Sequence, residues 1–166
     1  MKNRKRGFSL VELLIVLAVI AALIATITPV ALNAIKKAKA TQVAQNLKTL
    51  ASALENAAYV NGVHENVVLK PGTTSTAIEL ENLGRDIDSN KYGVWYTGTD
   101  TNGELKAVVF YNGNDVDPSL VNQTLRNATD TKPSGYDDIT GDNRLGSNTL
   151  PDNEKGVFYT FTFVVY

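Results

Sequence analysis

The chain has 166 residues, enough for one domain of ordinary size, and 43% of them are hydrophobic, enough for a core. It contains no cysteine, which excludes a disulfide framework and a thiolate metal site, and a single histidine, His64, which excludes a pair of histidines for zinc. The net charge of −1 is unevenly spread: residues 1–7 hold four basic side chains, residues 8–61 hold four Lys against Glu12 and Glu55, and residues 62–166 hold eight Lys and Arg against fifteen Asp and Glu. An acidic distal part argues against a nucleic-acid surface.

The first element follows Lys2, Arg4, Lys5, Arg6 and Gly7. It is an apolar run from Phe8 to Leu32 whose only charge is Glu12. At about 1.5 Å per residue it is long enough to cross a hydrocarbon layer of roughly 30 Å. It is too long for the apolar region of a secretory signal peptide, about 7 to 15 residues, and it continues into a helical pattern. Four basic residues precede the run, and Lys36, Lys37 and Lys39 follow it. With the N-terminal amine added to the first side, the balance puts the N-terminus in the cytoplasm and the bulk of the chain outside. Pro29 removes one helical hydrogen bond and predicts a kink there, with Thr26 and Thr28 near enough to satisfy freed carbonyls.

Past the run, Ile35, Val43, Leu47, Leu50 and Leu54 recur at helical spacing, and Ala31, Ala38 and Ala57 extend the stripe. The pattern predicts one amphipathic helix ending at Asn61-Gly62. From Phe8 to Val60 it would be about 80 Å long, more than a domain of this size can bury. Half of it is therefore expected to project into a membrane or a partner.

The rest reads as a globular head. "TAIELENLG" predicts a short helix, with Thr76 and Glu79 as a capping box and Gly84 as the stop. Val94–Thr99 and Glu104–Tyr111 predict a β-hairpin turning at Asn102-Gly103. Asp117-Pro118 opens another short helix with Leu120, Val121 and Leu125 on its apolar side. "GVFYTFTFVVY" predicts a last strand, with Tyr159, Phe161, Phe163 and Val165 facing the long helix. The fold class is α+β: a long N-terminal helix, kinked near Pro29, packed through its C-terminal half on a small antiparallel sheet. The divisions are residues 1–7 as a leader, 8–34 as a protruding helix and 35–166 as the head.

No phosphate-binding glycine loop or nucleophile–base set is present, so no enzyme and no cofactor is implied. Asn122-Gln-Thr and Asn127-Ala-Thr fit the sugar-acceptor pattern. Between the last two strands lies a stretch rich in Asp, Asn, Gly and Pro with few apolar anchors. Within it Asp137, Asp138 and Asp142 offer hard oxygen ligands that suit calcium, although their spacing is not that of an EF-hand.

The stretch "RGFSLVELLIVLAVIAALIATITP" resembles the class III signal sequence of type IV pilins and of type II secretion pseudopilins. The likeness rests on the basic leader, Gly7, Phe8, Glu12 and Pro29. It implies cleavage between Gly7 and Phe8 by a prepilin peptidase and methylation of the Phe8 amine. It also implies passage from inner-membrane lipid, through the pilus assembly machinery, into an extracellular homopolymer. Glu12 would then pair with the Phe8 amine of a neighbouring copy, and Pro29 would shape the packed helices. Many pilins close their distal region with a disulfide; here packing of Tyr136, Ile139, Leu145 and Leu150, or a metal, must do so. A pilin leads as the expectation, with a pseudopilin and a membrane-anchored binding protein as alternatives.

Overall fold

The computed structural model describes residues 7–98 and 103–165. The basic leader, Thr99, the turn residue Asn102 and the final Tyr166 lie outside the described residues. Helix α1 runs from Leu10 to Asn61. The chain divides into two compact units between Lys37 and Ala38.

In the first unit α1 runs without interruption through Pro29. Pro29 cannot donate to the carbonyl of Ala25. The two nearby threonines do not take up that carbonyl: Thr26 donates to Leu23 O at 2.9 Å and Thr28 to Ile24 O at 2.7 Å. Every residue from Gly7 to Lys37 is exposed.

The second unit holds the core. Along α1 the buried positions are Ala40, Val43, Ala44, Leu47, Leu50, Ala51, Leu54 and Ala58. This corrects the expected stripe. Ile35, Ala31 and Ala38 are exposed, and four alanines at 40, 44, 51 and 58 take part instead. Small side chains let a sheet lie close against a helix without voids.

Two short strands, β1 (Val63–His64) and β2 (Val67–Val68), form a hairpin after the helix. Its turn residues Glu65 and Asn66 both have positive φ, 50° and 65°, as a type I′ hairpin loop requires. Helix α2 is only Leu80–Leu83. It starts later than expected because Ala77 is bridged to Leu69 and Lys70 N–H bonds Thr76 O. The capping contact has moved three residues along, with Glu79 N–H donating to Asn82 Oδ1 at 3.1 Å. Strands β3 (Tyr92–Gly98) and β4 (Glu104–Tyr111) pair antiparallel. Gly103, at the near end of the connection, has φ of 67°. Helix α3 (Pro118–Thr124) is capped by Asp117, whose carboxylate accepts from Ser119 N–H at 2.9 Å. Strand β5 (Ala128–Thr129), a 3₁₀ turn at Gly141–Asn143, β6 (Arg144–Gly146) and β7 (Val157–Val164) complete the chain.

The main sheet is antiparallel with the order β5-β7-β4-β3-β6. Its two faces follow from strand alternation. Val94, Tyr96, Leu105, Ala107, Val109, Val157 and Phe163 pack with the buried face of α1. Trp95, Val108, Phe110 and Phe158 point the other way. There they meet Tyr136, Ile139 and Leu150 of the distal segment, so the head has three layers and two cores. Trp95 and Phe110 meet edge to face at 5.5 Å. Leu145 departs from the expected group of four: β6 joins the sheet edge and carries Leu145 to the helix side.

Candidate functional site

The start of α1 brings together the residues singled out in the sequence. Gly7, Phe8 and Ser9 precede the first helical residue, Leu10, and Phe8 is 87% exposed. Among the described residues nothing approaches the position a Cβ on Gly7 would take. The Gly7–Phe8 bond lies in non-helical backbone.

Ser9 and Glu12 cap the helix reciprocally. Ser9 N–H donates to Glu12 Oε2 at 2.8 Å, and Ser9 Oγ accepts from Val11 N–H at 3.3 Å. This is a capping box, with Ser9 at the N-cap and Glu12 three residues on. Its sequence signal, S-x-x-E, stands at "SLVE". It gives Glu12 a function inside its own chain: satisfying a free N–H and placing negative charge at the positive end of the helix dipole. Only one carboxylate oxygen is used. Oε1 has no partner among the described residues, so the capping bond and a second, outside partner are compatible.

Around Glu12 the surface is apolar. Leu10, Val11, Leu13, Leu14, Ile15, Val16 and the large side chains on to Ile35 are all about half exposed or more. Among the described residues α1 is the one helix long and apolar enough to cross a membrane. Charge at such a site is costly, roughly 2.5 to 3.5 kcal/mol at mid-bilayer on insertion scales, so an isolated carboxylate calls for a partner or an edge.

The head supplies no comparable cluster. Asp137 bonds Lys132 at 2.6 Å, and its carbonyl accepts from the Arg144 guanidinium at 3.2 Å. Asp142 uses its backbone carbonyl to accept from the Tyr96 hydroxyl at 3.4 Å. Among the described residues no three His, Cys, Asp or Glu side chains gather as a metal site, so Asp137, Asp138 and Asp142 are not brought together. The distal segment is instead pinned by side-chain bonds. Trp95 Nε1 donates to Ser147 O at 3.1 Å, and Asn143 Nδ2 donates to Asn66 O at 2.9 Å and Tyr96 O at 3.1 Å. The Arg144 guanidinium lies 4.1 Å from the centre of the Trp95 ring. Neither the Arg144 stack nor β6 itself was legible beforehand, because both depend on a strand pairing between distant segments. His64 is exposed in β1 and faces no such group.

A long apolar N-terminal helix that continues onto an antiparallel sheet is a pilin-like α+β architecture. Residues 2–28 match the family model of the prokaryotic N-terminal methylation motif. The chain thus carries the class III signal sequence of type IV pilins and pseudopilins. The match covers the leader and the first part of α1 and none of the head. No curated protein and no solved structure matches the chain.

Proposed function

We propose that the chain is the precursor of a structural subunit of a type IV pilus-like filament. The observation that carries this reading is the methylation motif on a helix whose apolar first part, up to Ile35, is exposed and holds one carboxylate. Prepilin peptidase cuts after Gly7, leaving 159 residues, and Phe8 becomes the methylated N-terminus. Before assembly the apolar half of α1 lies in the inner membrane, with the N-terminus in the cytoplasm and the head outside. In the filament the same surface is buried against other copies. Glu12 keeps Oε2 on Ser9 and offers Oε1 to the Phe8 amine of a neighbour. A buried ion pair satisfied at one stagger specifies register rather than adding much stability.

The capping box makes the test sharp. Gln can replace Glu in a capping box but carries no charge to form an ion pair with an ammonium. Glu12→Gln should therefore keep the helix start and lose filament. Glu12→Ala should lose both, while each variant is still processed and membrane-bound. Sheared surface filament is compared with membrane-bound processed subunit for each. Normal filament from Glu12→Gln would reduce Glu12 to a helix cap. A secretion pseudopilin carries the same motif; filaments at the cell surface at native expression levels separate the two.

A further inference from the structure

The two sugar-acceptor triplets lie at either end of one turn, and the structure treats them differently. Asn122, in the last turn of α3, donates its side-chain amide to Ala128 O at 2.7 Å. That bond ties the helix to the start of β5, so the acceptor nitrogen of the first triplet is occupied. Asn127 is exposed, has φ of 72°, and its side-chain amide has no partner among the described residues. The left-handed backbone, which Asn tolerates better than most residues, turns the chain sharply before β5. Thr129, two residues on, belongs to a two-residue edge strand that pairs only with Phe158, beside the Ala128–Tyr159 pair. Its hydroxyl accepts from Thr131 N–H at 3.0 Å. A strand this short at a sheet edge opens at little cost, which gives a transferase access to an extended Asn-Ala-Thr segment.

We propose that Asn127, and not Asn122, is an acceptor for an N-linked glycan supplied by a lipid-pyrophosphate-linked sugar donor at the outer face of the membrane. The inference rests on the placement of the head outside the membrane. The Asn127 Nδ2 attacks the anomeric carbon of the sugar and a C–N bond forms. The bond from that carbon to the pyrophosphate oxygen breaks, and the lipid pyrophosphate leaves with the electron pair. The proton lost by the amide passes to a carboxylate of the transferase, and nothing is oxidised or reduced. The hydroxyl of Thr129 is the group by which such an enzyme recognises the triplet.

The test uses the full chain made in its native host. Arg126 separates the two triplets on tryptic cleavage, so Asn122 and Asn127 fall on different peptides. The peptide that begins at Asn127 should carry a sugar mass increment, and the one that ends at Arg126 should not. The increment should be lost in Asn127→Asp, which keeps the side-chain shape and the left-handed turn, and in Thr129→Val. It should survive in Thr129→Ser and Asn122→Asp. An unmodified Asn127 in a head that added protease can reach on spheroplasts overturns the glycan and leaves the head's placement standing. A head protected from protease on spheroplasts overturns both. A sugar on the Asn122 peptide instead would overturn the assignment between the two.

Discussion

At the scale of single residues, Glu12 answers two demands that are usually separate. It is the only charge in an apolar stretch, and it also completes the cap of the helix that carries it. The cap is a local interaction worth about 0.5 to 2 kcal/mol, lost when the N-cap hydroxyl is removed. An unmatched buried charge in an assembled fibre costs about 3 to 5 kcal/mol, a larger effect repeated at every subunit. Ser9→Ala is therefore expected to fray the first turn of α1 and leave assembly largely intact, since the Glu12 carboxylate remains. Hydrogen exchange of the Val11 amide in micelles should rise, while filament yield stays within about twofold, the change that a few tenths of a kcal/mol would produce. Loss of filament from Ser9→Ala would mean that an ordered first turn of α1, and not the Glu12 charge alone, governs register.

At the scale of elements, the legible parts were those with a strong period. Val43, Leu47, Leu50 and Leu54 announced the buried face of α1, and the alternation of β7 announced which of its side chains face the helix. The N-terminal boundary of that buried face was misjudged at Ile35, because apolar spacing continues there while the buried positions begin only at Ala40. The difference predicts two unlike mutants. Leu50→Ala, at a fully buried site, should destabilise the head by about 2 to 5 kcal/mol. Ile35→Ala, at a site 55% exposed, should change it by no more than about 0.5 kcal/mol. Urea denaturation monitored through Trp95, the single tryptophan, measures both. Similar losses at the two positions would mean that Ile35 does pack in the folded monomer.

The distal segment was legible only in part. Tyr136, Ile139 and Leu150 stood out as its apolar anchors and do pack on the sheet, but they are spaced too irregularly to show a period, and β6 gains its identity only by pairing with β3. The acidic composition suggested calcium, yet Asp137 has its partner in Lys132, and the order of the segment comes from apolar contact and side-chain bonds to backbone. A ligand that binds only the folded head raises its stability by mass action. Millimolar calcium and chelator should accordingly give the same melting temperature. A rise of several degrees with calcium would show that Asp137, Asp138 and Asp142 can be drawn together after all.

At the scale of the whole molecule, the division after Lys37 separates two physical regimes. Among the described residues every buried hydrophobic one lies from Ala40 onward, so a fragment starting at Ala38 keeps that core, together with the ion pair of Lys39 and Asp115 at 3.3 Å. That fragment should be soluble without detergent and melt cooperatively. Its alkaline limit follows from the tyrosines. Burial pushes the Tyr96 hydroxyl up to about 12, and burial likewise raises Tyr92, Tyr111 and Tyr136. A tyrosine whose folded value is raised contributes full stability below its unfolded value of about 10 and loses it as pH climbs toward the folded value. For Tyr96 the loss amounts to about 2 to 3 kcal/mol once both values are passed. Asp115 has the reverse sign. Its bond from the Tyr111 hydroxyl, at 2.6 Å, and the nearby Lys39 hold its carboxyl below the usual range, so its contribution disappears only in acid. The tyrosine contribution should thus be constant from about pH 6 to 9, and the melting temperature should drop steeply above about pH 10. Tyr96→Phe should start lower, because Val68 N–H loses its acceptor at 3.1 Å, and should fall less steeply in alkali. An unchanged alkaline slope in Tyr96→Phe would show that Tyr96 is not the group whose ionisation opens the head.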